Sequence, residues 1–133
     1  FYYALSLMEK YDSTLILLHV VENLRQWGDL YVPATAIQLD QKIIEKEAAR
    51  ALEDFYASHV RGVSDVRREV LSGDPVTVIL NVIENEDVDL VVLGTHGRKG
   101  LEHTVFGSVA ENVVRRSPVP VLTINPYTLK SSP

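Results

Sequence analysis

Glycines and basic residues are concentrated in one segment of the chain, Gly94–Ser108, which reads GTHGRKGLEHTVFGS. Four of the seven glycines fall in it, and Arg98 and Lys99 add positive charge to a chain whose net charge is −5. Glycine permits close backbone approach and positive φ, so that amide groups can converge on an anion. The segment therefore predicts a phosphate-binding loop, although Arg98 and Lys99 also suit solvated positions on a loop.

The elements on either side of this segment favour the same chemistry. A buried strand is predicted over Val88–Leu93, and a helix over Ser108–Arg116. Ligands of open α/β sheets bind beyond the carboxyl ends of the strands, and a helix N-terminus supplies free amide groups and a positive dipole end. Ser108 can offer its hydroxyl to a phosphate. Ser108 and Glu111 also fit a capping box, so a structural role stays open beside the binding role.

Two common nucleotide motifs do not fit the segment. The P-loop pattern G-x-x-x-x-G-K-[ST] is absent, and the first glycines run G-x-x-G-x-x-G rather than G-x-G-x-x-G. The spacing that is present is Gly94-x2-Gly97-x9-Gly107-Ser108.

The rest of the chain predicts the elements that must position this loop. Apolar periodicity and turn residues indicate alternating helices and strands: helix 1–11, strand Thr14–Val21, long loop Glu22–Ala36, helix Ile37 to about Val60, strand Asp65–Leu71, a helix entered through Gly73-Asp74-Pro75, strand Val88–Leu93, helix Ser108–Arg116 and strand Val119–Ile124. Such alternation predicts a parallel sheet covered by helices and linked by right-handed crossovers. We expect one domain over residues 1–133, with a core of 1–124 and a tail of 125–133.

Two further expectations concern the core and the start of the chain. The long helix carries an apolar stripe, predicted to be buried, made of Ile37, Ile44, Ala48, Ala51, Leu52 and Phe55. The chain opens on a helix where the pattern expects a strand, so we expect a first strand to precede the sequence given.

Composition limits the classes of function. The sequence has no cysteine, which excludes disulfides and thiolate metal sites and fits a reducing cytoplasm. An acidic chain without a basic block is not expected to bind nucleic acid, and no apolar run approaches the ~20 residues that span a bilayer. His96 and His103 are weak evidence for a metal site, and no nucleophile–base pair is visible.

Taken together, these segments resemble the ATP-binding branch of the universal stress protein family. The resemblance rests on the loop spacing, on His19-Val20-Val21 at the end of the first strand, on Gly73-Asp74-Pro75, on VDLVVLGTHG and on the closing SPVPVL. It implies an open five-stranded parallel sheet, order 3-2-1-4-5, with helices on both faces and its first strand missing here.

The resemblance also implies a site and partners. Its phosphate- and ribose-binding positions match Gly94, Gly97, Gly107 and Ser108, with the Val109 amide facing phosphate, and its adenine position lies near Val20 or Val21. His96 and Arg98 fall inside the matching loop. The family's ligand is ATP with Mg²⁺ or Mn²⁺, and its dimer forms through the last strand, Val119–Ile124 here. We therefore expect a homodimeric, cytoplasmic, ATP-binding regulatory protein with at most slow ATP hydrolysis.

Two other functions are compatible with the same sequence. One is an interaction module of the same fold that binds no nucleotide, because fold does not fix function. The other is a true hydrolase or nucleotidyl transferase, which would need a base that activates water.

Overall fold

The computed structural model describes residues 1–23, 34–60, 62, 65–95 and 107–125. For residues 34–39 within this range it describes the backbone but not the side chains. The chain divides into two compact units, Phe1–Pro75 and Val76–Pro133. Each unit contains a strand–helix–strand crossover with parallel strands.

The first unit comprises two helices and two strands: α1 (Tyr2–Tyr11), β1 (Leu15–Val21), α2 (Ala34–His59) and β2 (Val66–Ser72). β1 and β2 are parallel, in a register that runs from Leu15 opposite Val66 to Val21 opposite Ser72. Side chains alternate between the faces of a strand, so Arg68 and Ser72 share one face of β2. Both contact α2, which identifies the face of this sheet that α2 covers.

Polar contacts join α2 to β2. Arg68 Nε donates a hydrogen bond of 2.7 Å to Glu53 Oε1, and its guanidinium carbon lies 4.3 Å from the centre of the Tyr56 ring. The hydrogen bond to Glu53 raises the pKa of Arg68. The opposite face of β2 carries an ion pair of its own, Arg67 with Glu69.

The half-buried face of α2 coincides only in part with the apolar stripe that the sequence predicts. The partly buried positions are Gln41, Glu45, Ala48, Leu52 and Tyr56. Ile44 and Phe55, expected in the core, keep 39% and 37% of their surface exposed. Phe55 instead contacts Phe1, which precedes α1, with ring centroids 5.1 Å apart. The prediction that this stripe is buried is therefore wrong for Ile44 and Phe55 and also for Ala51, which is exposed, because the polar side chains of β2 contact the neighbouring face of the helix. The side chain of Ile37 lies outside the described part.

The second unit comprises α3 (Pro75–Asn85, whose first residue closes the first unit), β3 (Val91–Gly94), α4 (Ser108–Arg116) and β4 (Val121–Ile124). β3 and β4 are parallel, with Val91 opposite Val121 and Gly94 opposite Ile124. Ile83 of α3 and Ala110 and Val113 of α4 are buried, and Val113 has no exposed surface. These apolar side chains form the core of this unit.

The α/β fold with parallel strands is confirmed, and among the described residues β1 pairs with β2 and β3 pairs with β4. Several predicted bounds are wrong by a few residues. β3 begins at Val91 rather than Val88, and β4 at Val121 rather than Val119. Pro120 precedes β4 because it has no amide to donate, while its carbonyl accepts a 3.0 Å hydrogen bond from the Val91 amide.

The remaining boundary predictions fall partly outside the described residues. α2 begins at Ala34, inside the loop predicted over Glu22–Ala36, and residues 24–33 of that loop lie outside the described part. The predicted tail lies outside it from residue 126 onward. The single-domain assignment stays a prediction. Within the described ranges, no helix has the length and apolar character needed to cross a membrane.

Candidate functional site

The predicted site residues are distributed over both units. Val20 and Val21 end β1 in the first unit, whereas the second unit contains Gly94 at the end of β3 and Gly107, Ser108 and Val109 at the start of α4. His96, Gly97 and Arg98 lie outside the described residues. The structure thus shows how the predicted loop begins and ends.

The two ends of the Gly94–Ser108 segment meet at Thr95. The Gly107 amide donates a hydrogen bond of 2.6 Å to the Thr95 carbonyl, and the Thr95 amide donates one of 2.9 Å to the carbonyl of Ile124 in β4. Thr95 retains only 5% of its surface. The start of α4 is therefore held at the edge of the sheet where β3 and β4 end.

Gly107 is the N-cap of α4, and its conformation is an ordinary extended one, with φ −71° and ψ 155°. Backbone geometry alone therefore does not require glycine here. A Cβ at this position would lie 3.2 Å from the Thr95 carbonyl oxygen, which is a close contact. Glycine also leaves the first turn of α4 without a capping side chain, whereas Ser, Thr, Asp or Asn at an N-cap accept a hydrogen bond from that turn.

Ser108 is the first residue of α4 rather than its cap. The Glu111 amide donates to the Gly107 carbonyl at 3.0 Å, as an ordinary helical hydrogen bond. The alternative that Ser108 and Glu111 form a capping box does not agree with the structure, because that motif places the serine at the N-cap position, which Gly107 occupies. Ser108 is exposed and Val109 is half-buried. The amides of the first helical residues have no partner within the helix, so this end can accept an anion.

The charges along α4 follow the helix dipole at its far end. Arg115 and Arg116 lie in the last turn, where cations are favoured. Glu111 lies in the first turn, and one of its carboxylate oxygens is 3.7 Å from Arg115. This ion pair offsets part of the negative charge near the N-terminus of α4.

In the first unit, the end of β1 is connected to β2 and α2. The Val21 side chain is buried, and the Gly73 amide donates to the Val21 carbonyl at 3.0 Å. Ser72, opposite Val21 in the sheet, donates a hydrogen bond of 2.6 Å to Glu45 Oε1, and Gln41 Nε2 lies 3.3 Å from the same carboxylate oxygen. Val20, on the opposite face of the strand and half-buried, is the more accessible of the two predicted residues.

Sequence reasoning did not single out Thr95, Ser72 or Glu45. Thr95 had one available signal, since a polar residue directly after a buried strand and beside the first loop glycine lies at the ligand edge of a sheet. Ser72 and Glu45 had none, because they are 27 residues apart and only the packing of α2 on β2 joins them.

No metal site emerges from the described ranges, in which no group of three or more histidine, aspartate or glutamate side chains could hold an ion. The donors at the start of α4 are backbone amides and the Ser108 hydroxyl. Amide and hydroxyl hydrogens suit phosphate oxygens rather than a cation.

Comparison with known proteins gives one consistent family. The family described as "Universal stress protein family" matches residues 1–125. Universal stress protein MJ0531 of Methanocaldococcus jannaschii is 28% identical over 123 residues, which cover 92% of this chain and 71% of that protein.

Solved structures agree with the sequence match. Protein MJ0577, also from M. jannaschii, superposes with a TM-score of 0.77 at 26% identity, over 98% of this chain and 89% of the other. A universal stress protein solved in complex with cAMP has a TM-score of 0.53 at 23% identity, over 89% of this chain and 78% of the other, and at that identity it shows the fold alone.

Proposed function

The chain belongs to the universal stress protein family, and from that premise we propose that it is a regulatory protein of the stress response that binds ATP together with Mg²⁺ or Mn²⁺. In this proposal the Gly94–Ser108 loop holds the phosphates, with Gly94, His96, Gly97, Arg98, Gly107, Ser108 and Val109 as the contacting positions. Val20 or Val21 lies near the base. The proposed activity is ATP binding, accompanied at most by slow ATP hydrolysis.

The observation that carries the proposal is the start of α4. The helix begins at a glycine N-cap beside the end of β3, so its first amides face the ligand edge of the sheet without a capping side chain. An uncapped helix N-terminus at this edge is the usual position for a phosphate. Ser108, the first residue of the helix, is exposed and adds a hydroxyl donor.

One protein of the same fold binds a ligand of the proposed class. It was solved in complex with cAMP, a phosphate-bearing adenine nucleotide. The net charge of −5 disfavours a phosphate ligand, so in this proposal the positive end of the α4 dipole and the charge of Arg98 offset it locally.

Two parts of the proposal concern assembly and location. We propose a homodimer that pairs through Val119–Ile124, of which β4 (Val121–Ile124) forms the ordered strand. In the described sheet β4 pairs only with β3, so its second edge can accept another strand. The cytoplasmic location stays the prediction made from the lack of cysteine.

A charge placed at the first position of α4 tests the phosphate site. The variant Ser108→Asp puts a carboxylate where the proposal puts a phosphate, while an acidic residue in the first turn favours the helix by about 0.3–1 kcal/mol. We expect the affinity for Mg·ATP, measured by calorimetry, to fall at least about tenfold, because like charges at ~4 Å repel by roughly 1–4 kcal/mol. The melting temperature should stay constant or rise.

The matched control is Asn81→Asp, which makes the same charge change at an exposed position of α3. It should leave the ATP affinity within about twofold of the original chain. If the original chain shows neither heat nor thermal shift with millimolar Mg·ATP, the nucleotide proposal fails and the interaction module without nucleotide takes its place. If Ser108→Asp and Asn81→Asp weaken binding equally, the phosphates lie elsewhere.

A further inference from the structure

We propose that Thr95 is a positioning residue that sets the start of α4 and thereby selects which amides reach the phosphates. This inference rests on the proposed function and adds a residue to it. Among the described residues Thr95 is the one polar residue that is buried, with 5% of its surface exposed. Its burial at the ligand edge of the sheet needs a physical reason, since threonine is usually exposed.

Thr95 connects three elements through its backbone and side chain. Its amide donates to Ile124 at the end of β4, and its carbonyl accepts from Gly107 at the start of α4. Its hydroxyl lies 3.4 Å from the same Ile124 carbonyl and donates a second, longer hydrogen bond to it. Thr95 thus joins β3, β4 and α4 through its hydrogen bonds. A shift of Thr95 would therefore move the N-terminus of α4.

The bond from Gly107 decides which amides remain for a ligand. The Gly107 amide donates its hydrogen bond to the Thr95 carbonyl at 2.6 Å, so it does not donate to a ligand. The amides of Ser108 and Val109 follow it in the first turn, where no intrahelical acceptor exists. The Thr95 carbonyl therefore occupies the Gly107 amide and leaves the amides of Ser108 and Val109 for the phosphates, while Gly107 can still approach them closely because it has no side chain.

The residue type suits this role. The two β-carbon substituents of threonine restrict its side-chain rotation, so the hydroxyl stays near Ile124 at low entropic cost. A valine at this position keeps the shape and removes the hydroxyl, whereas a serine keeps the hydroxyl and removes the methyl group. These two substitutions separate the hydrogen bond from the packing.

The first measurement needs no nucleotide. Hydrogen exchange of the full chain, followed by NMR, reports the Gly107 amide, with the Val113 amide in the same helix as an internal reference. We expect Thr95→Val to accelerate exchange at Gly107 roughly two- to tenfold, the effect of one lost hydrogen bond. Thr95→Ser should recover at least half of that loss, and Val113 should change by less than about twofold in both variants.

The second measurement compares Mg·ATP with adenosine by calorimetry. Because Thr95 positions the phosphate contacts, Thr95→Val should weaken ATP by about three- to tenfold, the range of one displaced hydrogen bond, and leave adenosine within about twofold. The matched control is Thr14→Val, the same substitution at an exposed position before β1, which should change neither ligand.

Each outcome decides a separate point. If Thr95→Val changes neither the exchange rate of the Gly107 amide nor the ATP affinity, the inference is overturned. If exchange accelerates equally at Gly107 and Val113, Thr95 only stabilises the fold in general, and the inference is overturned as well. If the original chain binds no ATP while Gly107 exchange still depends on the hydroxyl, the proposed function fails and the ligand half of this inference fails with it. That same result would support the structural half, in which Thr95 sets the start of α4.

Discussion

The Gly107 amide nitrogen lies 2.6 Å from the Thr95 carbonyl oxygen, and this single backbone hydrogen bond joins the two ends of the glycine-rich segment. The bond fixes where the chain leaves β3 and where it enters α4. As a result, the first turn of α4 lies at the carboxyl end of the sheet, which is where open α/β sheets bind ligands. The close approach of these two residues also makes position 107 sensitive to any added side chain.

The first prediction concerns Gly107→Ala. Its Cβ would lie 3.2 Å from the Thr95 carbonyl oxygen, so one of the two must move. We expect a loss of about 1 kcal/mol from this contact, partly offset by about 0.5 kcal/mol because alanine lowers the entropy of the unfolded chain. ATP affinity should fall by more than this loss of stability predicts, because the shift displaces the amides that we propose to bind the phosphates. Urea unfolding and calorimetry measure the two effects.

A control for that variant is Gly62→Ala, in the first unit. Gly62 has φ +77°, and a Cβ added there would meet no atom within 4 Å, so alanine is strained by its backbone conformation without a steric contact. The unfolding free energy should fall by about 1 kcal/mol. ATP affinity should not change. If both variants lowered affinity alike, the effect at Gly107 would reflect global stability and not the site.

The second prediction compares two adjacent valines of α4. Val113 has no exposed surface, whereas 43% of Val114 is exposed. Val113→Ala should lower the unfolding free energy by about 2 kcal/mol, since it removes buried methyl groups and leaves a cavity. Val114→Ala should stay within about 0.5 kcal/mol of the original chain, because it changes only a surface position. Equal losses in urea unfolding would contradict the assignment of the buried face of α4.

The sequence predicts α4 better than α2, and the difference has a physical cause. α4 is short and has a sharp contrast between buried Val113 and the charged Arg115 and Arg116, so its bounds, Ser108–Arg116, agree with the structure. The sequence of α4 does not predict which residue is its N-cap. The pattern Ser-x-x-Glu favours a cap at Ser108, but the tertiary contact between Gly107 and Thr95 makes Gly107 the N-cap instead.

α2 shows the opposite case. Its apolar residues predict one buried face, but the covered face is rotated toward Glu45 and Tyr56, which meet Ser72 and Arg68 of β2. The apolar periodicity of a helix depends only on the residues of that helix, and it carries no information about the side chains of the strand that the helix will cover. A polar strand face can therefore select a polar helix face, and no single-segment pattern predicts that choice.

The third prediction tests this rotated face of α2. Leu52 is half-buried on the covered face, whereas Ile43 is 53% exposed. Leu52→Ala should cost about 2 kcal/mol, at the low end of the range for leucine in a core. Ile43→Ala should stay within about 0.5 kcal/mol. Chemical unfolding of both variants at the same pH and salt gives the comparison, and a larger loss at Ile43 than at Leu52 would show that α2 covers β2 with its other face.

The fourth prediction concerns the number of phosphates on the ligand. The start of α4 offers backbone amides and the Ser108 hydroxyl, which are donors suited to phosphate oxygens. Affinity should therefore rise from adenosine through AMP and ADP to ATP, with each step weaker at high salt because charge contributes to it. Competition calorimetry in low and high salt measures the series. Equal affinities for adenosine and ATP would contradict the phosphate site, because the binding energy would then come from the nucleoside alone.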